Sequence, residues 1–317
     1  MRRAPCPVVV IFAPTACGKT ALTRTLFGKS SLSPFKGCAE VVSADSQAVY
    51  RGLSIGTAKP DFADLQDIPH HVIDVVEPSV QFGVGEFVEA ADRACEEIWS
   101  RGKLPLVIGG SGFYVRSFLL GLPATPQGDP SVHERLCVRL KNEGLPLLYE
   151  ELRRIDAASA RAINCHDSYR VLRALEVYEC SGKPLSSFEM PSAVRSRYDC
   201  CTLVLTRDRM DLYGRIDARV DAMFENGLAD EVRALKAAGY TAHSPGMKAI
   251  GYREFFLGLS DEQILRQRIK KNSRRYAKKQ YTFMRDIPGA TTLPACDLKK
   301  ISEIVFSFCR NHHVGEV

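Results

Sequence analysis

Short apolar runs alternate with amphipathic segments through the first third of the chain. The apolar runs occupy positions 7–13, 39–43, 72–76 and 104–108. Their length and continuity are typical of buried strands, and the segments 19–27 and 85–100 carry apolar side chains at helical spacing. This alternation predicts a parallel sheet that is covered by helices on both faces.

The pattern changes after residue 121. Residues from about 130 to 187 look wholly helical, with breaks at Pro and Gly, and a strand pattern returns only at residues 202–206. Helical periodicity then follows at 210–222, 229–238 and 265–284. We therefore predict an α/β core with an inserted all-helical subdomain. The expected boundaries are 1–121 for the first part of the core, 122–200 for the insertion, and 201–317 for the completion of the core and the basic C-terminal helices.

Composition narrows the class of protein. Hydrophobic residues make up 45% and charged residues 25% of the chain, as in ordinary globular proteins. The apolar runs are much shorter than the ~18 residues that a membrane span needs, so we expect no membrane association. The eleven cysteines form no C-x-x-C pair, which argues against a disulfide framework or a zinc finger. Reduced thiols and a cytoplasmic location are the expectation.

The net charge of +6 is concentrated in one segment. The window 266–285 holds nine basic residues and no acidic residue, and acidic residues outnumber basic ones in the rest of the chain. A local excess of this kind is the electrostatic footprint of a protein that binds a polyanion. A solvated helix face is the alternative for such a charge run.

A phosphate-binding motif lies between the first predicted strand and the first predicted helix. It fits G-x-x-x-x-G-K-[ST] except at its first position, and it reads Ala13-Pro14-Thr15-Ala16-Cys17-Gly18-Lys19-Thr20. In such a loop, backbone N–H groups and the lysine bind phosphate oxygens, and the final hydroxyl is suited to bind Mg²⁺. The fold class predicted is therefore a P-loop NTPase-like parallel sheet flanked by helices. The alternative is an ordinary strand-to-helix turn.

Further motifs follow the P-loop in a fixed order. They are Ser43-Ala44-Asp45-Ser46-Gln47-Ala48-Val49-Tyr50, Ile55-Gly56-Thr57-Ala58-Lys59-Pro60, Pro69-His70-His71, Gly109-Gly110-Ser111-Gly112-Phe113-Tyr114, the segments 170–177, 212–219 and 249–254, and the basic segment 274–285. With the P-loop, this series resembles the bacterial tRNA dimethylallyltransferase (isopentenyltransferase) family, and the resemblance runs from residue 8 to about residue 285.

The resemblance implies a helical insertion that helps to grip the anticodon stem-loop of tRNA. It also implies transfer of a dimethylallyl group from dimethylallyl diphosphate to N6 of the adenosine 3′-adjacent to the anticodon. The P-loop would hold the leaving diphosphate, with Mg²⁺ on Thr20 and no requirement for ATP. Three positions depart from the family pattern: Ala13 replaces Gly, Ser111 replaces Thr, and His133 stands where a basic residue is expected.

Candidate catalytic residues follow from this chemistry. The leaving diphosphate needs positive charge, for which Arg219 is the first candidate and Arg215 and Arg209 are the next. The alternative for these arginines is a surface stripe of ion pairs. Asp45 is expected to orient the attacking amine and to take its proton, although it could merely cap a following helix. Ser111 is expected to contact substrate or tRNA, and its alternative is a helix N-cap.

The target adenine must leave its stack to reach an enclosed site, so we expect residues that line a channel and residues that bind the RNA backbone. The residues expected to contact tRNA are Asp45, Ser46, Gln47, Ala48, Ser111, His133, Arg170, Arg173, Lys248, Arg253, Arg274, Lys278, Lys279, Gln280 and Arg285.

Three other functions share part of this pattern. A small-molecule P-loop kinase would share the phosphate loop, the sheet and Mg²⁺, and an isopentenyltransferase acting on free adenine nucleotide would share the chemistry. Neither needs an extended basic surface. A non-catalytic RNA-binding protein with a relict P-loop would not need Lys19, Thr20 and Asp45 together. No apolar seam calls for an obligate protein partner, so a monomer is expected.

Overall fold

The computed structural model describes residues 4–259, 261–285 and 287–315. Within these residues the chain folds into two compact units. The first contains the described residues up to Leu119 and from Val194 onwards, and the second spans Leu120–Ala193. No helix of the described residues is long and apolar enough to cross a membrane.

A six-stranded parallel sheet forms the centre of the first unit, as far as the described residues go. Its strands are β1 (Cys6–Phe12), β2 (Ala39–Ala44), β3 (His70–His71), β4 (Leu104–Gly109), β5 (Tyr198–Thr206) and β6 (Thr291–Pro294). Their order across the sheet is β3-β2-β4-β1-β5-β6. Strands β2 and β4 are buried along their whole length, as the continuous apolar runs predict for a sheet covered on both faces.

Twelve α-helices are present in the described residues. They are α1 (Lys19–Phe27), α2 (Phe62–Asp67), α3 (Val84–Ser100), α4 (Gly112–Leu120), α5 (Pro130–Glu143), α6 (Leu145–Ile155), α7 (Ala157–Ala162), α8 (Ser168–Ser181), α9 (Arg209–Glu225), α10 (Leu228–Ala237), α11 (Glu262–Met284) and α12 (Leu298–Asn311). Short 3₁₀ helices lie at Leu185–Ser187, Pro245–Lys248 and Arg253–Phe256.

The second unit is helical and has its own core. Helices α5, α6, α7 and α8 pack their apolar faces together, and Leu136, Leu148, Leu152 and Val171 are fully buried in this cluster. The turns between the helices use the Gly and Pro breaks of the sequence: Gly144 has φ 82° and precedes Pro146 in the first turn of α6.

Strand register brings four loops to one edge of the sheet. Gly109 at the end of β4 pairs with Ala44 at the end of β2 and with Phe12 at the end of β1. Phe12 also pairs with Val204 near the end of β5. The residues that follow these strands therefore lie close together, at the edge where parallel α/β sheets bind ligands.

The predicted strand at residues 72–76 is wrong. The strand in this region is only His70–His71, and the chain turns directly after it, because Val72 and Asp74 have φ of 60° and 52°. Val76 forms only an isolated bridge with Tyr50. The other predicted strands are confirmed, and the structure adds α2, α4, β6 and α12, which the apolar pattern did not identify.

Candidate active site

A cavity of about 350 Å³ lies at the carboxyl ends of the strands. Its walls include Lys19 of α1, Asp45 after β2 and Arg219 of α9. These residues are far apart in the sequence, and the strand register together with helix α9 brings them to one site. The cavity therefore unites the three charged residues on which the predicted chemistry depends.

The P-loop, residues 13–20, forms one end of the cavity. Gly18 precedes α1 with φ 102°, a left-handed conformation that favours glycine. Because α1 begins at Lys19, the amide groups of its first turn have no acceptor within the helix and can bind an anion. Ala13 is fully buried and is not among the residues with positive φ, so alanine fits the first position of the motif without backbone strain.

Lys19 is held by the P-loop itself. Its ammonium group donates hydrogen bonds of 2.9 Å to the carbonyl oxygens of Ala13 and Pro14. Burial lowers the pKa of Lys19 to about 8; the nearby carboxylate of Asp45 opposes this shift and the guanidinium of Arg219 adds to it. The site thus holds a partly desolvated cation that a diphosphate would stabilise.

Arg219 carries the second positive charge of the cavity. Its Nη2 donates a hydrogen bond of 3.0 Å to the carbonyl oxygen of Thr57. Burial lowers the pKa of Arg219, and the negative charge of Asp45 opposes that shift. An arginine has five N–H donors, so most of this fork remains for an anionic ligand.

Asp45 lies between these cations and the turn that follows β2. Its Oδ1 accepts a hydrogen bond of 2.9 Å from the backbone N–H of Gln47. The chain at residues 46–49 forms turns and no helix, so the alternative role as the cap of a following helix is wrong. Ser46, Gln47 and Ala48 line the cavity together with Asp45.

Ser111 supports this turn from the neighbouring strand. Its Oγ accepts a hydrogen bond of 3.0 Å from the N–H of Ser46 and lies 3.2 Å from the Ser46 hydroxyl. It also interacts with the hydroxyl of Tyr276, which lines the cavity. Ser111 itself is 8% exposed and is not among the described residues that line the cavity. Direct contact between Ser111 and substrate stays a prediction, whereas its contact with Ser46 is a structural fact.

Gln280, which is predicted to contact RNA, lines the cavity as a buried residue. It is 3% exposed, and its Nε2 donates a hydrogen bond of 2.7 Å to the carbonyl oxygen of Gly110. Its Oε1 accepts a hydrogen bond of 3.0 Å from the N–H of Thr15 in the P-loop. The amide is therefore engaged within the protein, where it ties the P-loop to the end of β4.

Arg209 and Arg215 of α9, which are predicted to bind the diphosphate, lie outside the cavity lining. Arg209 is exposed and stacks over the Tyr213 ring at 5.2 Å. Arg215 is exposed and pairs with Asp211 at 3.3 Å, as the ion-pair alternative proposed. Neither is among the described residues that line the cavity, so the structure does not place them on a diphosphate there.

Arg207 was missed from the sequence, although it directly follows β5 at the same sheet edge. Its Nε and Nη2 donate to the carbonyl oxygen of Cys17 in the P-loop, at 3.2 Å and 3.1 Å. Its Nη1 donates to Asp211 at 2.6 Å. The position after a strand end was the signal that could have identified this arginine.

An apolar wall faces the charged end of the cavity. Helix α9 presents Ile216, Val220 and Met223 at helical spacing, and Ile269 of α11 and Ile250 complete the wall. Arg219 lies on the same face of α9. The site thus combines an anion-binding end with a wall that suits a short branched hydrocarbon.

Helix α11 carries the basic segment, but part of its charge is neutralised within the first unit. Arg274 pairs with Asp217 at 2.5 Å. Lys270 pairs with Asp221 at 2.7 Å, and Arg266 contacts the same carboxylate at 3.3 Å. The basic residues of the segment that are exposed to solvent are Arg268, Lys271, Arg275, Lys278, Lys279 and Arg285.

Two further candidates for RNA contact lie at the cavity. Lys248 and Arg253 are exposed and line it, and the Nε of Arg253 donates to the fully buried carboxylate of Glu254 at 3.1 Å. These residues bring positive charge to the part of the wall that precedes α11.

Three more candidates lie in the second unit. Arg173 pairs with the buried Glu176 at 2.7 Å and donates to the carbonyl oxygen of Pro126, so its charge is engaged inside that unit. His133 lies 3.9 Å from the same glutamate. Arg170 is the more available group, because its side chain is 68% exposed although it contacts Asp167.

The residues near Thr20 fit a magnesium ion with few protein ligands. Thr20 is exposed at the cavity next to Lys19. The described residues contain no group of three or more His, Cys, Asp or Glu side chains placed to hold a metal ion. A hydroxyl oxygen at the end of a P-loop suits Mg²⁺, which commonly binds one or two protein ligands together with substrate phosphates.

Comparison with known proteins agrees with this geometry. Residues 48–287 match the family model described as IPP transferase. The tRNA dimethylallyltransferase of Geobacter metallireducens is 40% identical over 282 residues, which cover 88% of this chain and 89% of that protein. The protein of the same name from Symbiobacterium thermophilum is 41% identical over 283 residues, covering 88% and 86% of the two chains.

Solved structures give the same result. The full-length tRNA isopentenylpyrophosphate transferase from Bacillus halodurans is similar with a TM-score of 0.66 and 32% identity, over 96% of this chain and 97% of that one. A eukaryotic dimethylallyltransferase acting on tRNA has a TM-score of 0.78 and 26% identity, over 97% and 80% of the two chains. The family model spans well over half of the chain and the relatives span most of it, and the chain therefore belongs to the IPP transferase family.

Proposed function

We propose that the chain transfers a dimethylallyl group from dimethylallyl diphosphate to N6 of the adenosine that is 3′-adjacent to the anticodon in tRNA. The observation that carries this proposal is the cavity in which the P-loop, Asp45, Arg219 and an apolar wall meet. Each of these parts serves one requirement of an allylic displacement at an aromatic amine.

The leaving group would bind at the P-loop end. The amides of the first turn of α1, the ammonium of Lys19 and the guanidinium of Arg219 would hold the two phosphates. Magnesium on Thr20 would neutralise further charge on the diphosphate when bound. Because these groups favour the diphosphate most when it has left, they lower the barrier to breaking the carbon–oxygen bond.

The hydrocarbon would lie against the wall formed by Ile216, Val220 and Met223. This wall excludes water from the allylic carbon and leaves the adenine amine as the nucleophile. The N6–carbon bond forms while the carbon–oxygen bond breaks, and the bonding electron pair leaves with the diphosphate.

Asp45 would orient the amine and accept the proton that N6 loses. An exocyclic amine becomes acidic as it gains its fourth bond, so a carboxylate within hydrogen-bond reach is a sufficient base. The hydrogen bond from Gln47 fixes one carboxylate oxygen. Through Ser46, the hydroxyl of Ser111 fixes the turn on which Asp45 lies.

Recognition of tRNA, in place of a free nucleotide, is supported by the exposed charge on α11. Lys271, Arg275, Lys278 and Lys279 have no use in binding a single nucleotide inside the cavity, whereas phosphates of an RNA backbone would bind them. The adenine would enter the cavity out of its stack, past Gln47 and Tyr276.

The test is a measurement of diphosphate release from dimethylallyl diphosphate with Mg²⁺, using unmodified tRNA or AMP as the acceptor. Release that depends on tRNA and is absent with AMP is expected. Release with AMP alone would assign the enzyme to free nucleotides. Transfer of phosphate from ATP to a small molecule, without prenyl transfer, would instead favour a P-loop kinase.

A further inference from the structure

One wall of the cavity is a loop whose conformation is fixed from outside the site. This loop, residues 53–60, contributes Gly56, Thr57 and Lys59 to the lining. Its turn is closed by hydrogen bonds from the N–H of Ala58 to the carbonyl oxygen of Ile55 and from the N–H of Lys59 to that of Ser54. The carbonyl oxygen of Thr57 accepts the hydrogen bond from Arg219. The position of this loop therefore determines where one donor of Arg219 is held.

Glu231 of α10 holds the outer side of the 53–60 loop. Its carboxylate accepts hydrogen bonds from three consecutive backbone N–H groups, those of Ser54 at 3.0 Å, Ile55 at 2.9 Å and Gly56 at 3.4 Å. Bonds to an ionised acceptor are stronger than those between neutral groups. The three N–H groups have a common acceptor that belongs to neither the loop nor the cavity.

The hydroxyl of Tyr252 forms hydrogen bonds with both Glu231 and Gly56. Its hydroxyl donates to Oε1 of Glu231 at 2.6 Å and accepts from the N–H of Gly56 at 3.0 Å. Burial, together with the charge of Glu231, raises the pKa of Tyr252, so the hydroxyl keeps its proton and remains a donor. The side chain is fully buried.

The backbone before Tyr252 is shaped for this contact. Gly251 has φ 99°, and a Cβ atom at this position would lie 3.4 Å from the carbonyl oxygen of Gly56. A residue with a side chain would be strained in this conformation, and its Cβ atom would be in van der Waals contact with the loop. Two segments far apart in the sequence thus meet closely where the loop is anchored.

We propose that Glu231 and Tyr252 are positioning residues for the diphosphate site, acting on Arg219 through the 53–60 loop. Glu231 and Tyr252 bind the loop amides, the Thr57 carbonyl of that loop binds Arg219, and Arg219 would bind the anion. Neither residue touches the ligand. The proposal rests on the proposed function only in taking a diphosphate as the anion that Arg219 binds.

The first measurement is the affinity of the full chain for inorganic pyrophosphate with Mg²⁺, by calorimetry. Glu231→Gln keeps the shape of the side chain but loses the charge and turns an amide donor toward loop N–H groups. Pyrophosphate should bind about tenfold more weakly, the effect of losing about one charge-assisted hydrogen bond at Arg219. Asp230→Asn is the matched control, because the adjacent Asp230 pairs with Arg233 on the surface, and this variant should bind within about twofold of the wild type.

The second measurement separates positioning from general stability. In an Arg219→Gln background, Glu231→Gln should cause almost no further loss of pyrophosphate affinity, because the group through which it acts is absent. A tenfold loss in both backgrounds would overturn the proposal and leave Glu231 as a purely structural residue. Equal affinity of wild type and Glu231→Gln would also overturn it.

Tyr252→Phe is the second variant, and it carries the test if Glu231→Gln does not fold. It removes one oxygen atom and leaves the ring in place, so the fold is retained while Gly56 loses the nearer of its two acceptors and Glu231 loses a hydrogen-bond donor. The same weakening, absent in the Arg219→Gln background, is expected. If the wild-type chain does not bind pyrophosphate at all, the diphosphate site itself is refuted, and this outcome is distinct from a wild type that binds while its variants show no coupling.

Discussion

Replacement of Asp45 by Asn separates catalysis from binding. The amide oxygen of Asn can still accept the hydrogen bond from the N–H of Gln47, so the turn after β2 is retained. The change removes the negative charge and the capacity to accept a proton. General-base catalysis contributes about 10² to 10⁴ in rate, and the single-turnover rate constant of prenyl transfer for Asp45→Asn should fall by this factor.

Binding of the donor should respond differently. Asp45 lies near Lys19 and Arg219 and opposes the fall in pKa of both. Its removal takes a negative charge from an anion site and lowers the pKa of Lys19 further below about 8. A bound diphosphate favours the protonated form of Lys19, and the variant has one negative charge less beside the anion, so the Kd for dimethylallyl diphosphate should be equal to that of the wild type or lower.

The assay combines single-turnover prenyl transfer to tRNA with calorimetric titration of the donor, both at pH 7. A single-turnover rate constant within tenfold of the wild type would remove Asp45 from the proton-transfer step. A loss of donor affinity as large as the loss of rate would show that Asp45 acts on binding or folding, and it would refute the division of roles described above.

The other predictions concern charged groups around the cavity. Arg219→Lys should lower kcat/KM at least tenfold because lysine lacks the guanidinium fork. Arg215→Lys, at an exposed residue, should change kcat/KM less than about twofold. Equal effects of the two variants in steady-state kinetics would contradict the assignment of Arg219 to the anion site. Pyrophosphate affinity should fall as pH rises above about 8, where Lys19 loses its proton, and a flat profile from pH 7 to 10 would exclude this role. The pKa of Lys19 is lower in the folded chain than in the unfolded one, so the unfolded chain binds more protons between about pH 8 and 10.5. The free energy of unfolding of the ligand-free protein should therefore rise with pH across that window, by at most about 3 kcal/mol from this group. Denaturant unfolding measures this rise, which should be absent in Lys19→Met. Replacing Lys278 and Lys279 by Gln should reduce the slope of log Kd for tRNA against log salt concentration by about one to two, with pyrophosphate affinity unchanged; an unaltered slope would remove them from the RNA surface.

Local sequence patterns were sufficient for the P-loop and for four of the six strands in the described residues, β1, β2, β4 and β5. A run of apolar residues followed by Gly18-Lys19-Thr20 and a helix has few other structural outcomes, and the strand ends then place Asp45 beside it. The prediction of a strand at residues 72–76 is wrong because a run of apolar residues carries no information on the backbone φ angles that end a strand. Val72 and Asp74 adopt positive φ, which ends the strand after two residues.

The roles of the arginines could not be read from their spacing. Arg215 and Arg219 are one helical turn apart, yet the first pairs with Asp211 at the surface and the second lines the cavity. Helix phase and packing decide this difference. Arg207 lies outside the helical pattern and takes its position from the end of β5.

The anchor of the 53–60 loop shows a second limit of sequence patterns. The carboxylate of Glu231 and the amide of Ser54 are 177 positions apart, and no local motif connects them. The same holds for Gln280 and Thr15, whose hydrogen bond makes Gln280 a support of the P-loop, while its predicted contact with RNA stays a prediction. Contacts between distant segments depend on the complete tertiary structure.

Prenyl transfer to one defined adenosine can be measured directly. The protein is incubated with Mg²⁺, labelled dimethylallyl diphosphate and tRNA that lacks the modification, and the RNA fragments and nucleosides are then analysed by mass. We expect a single prenylated adenosine, located in the fragment that contains the anticodon and at its 3′ neighbour. Unmodified RNA, or label on another nucleotide, would contradict the proposed function.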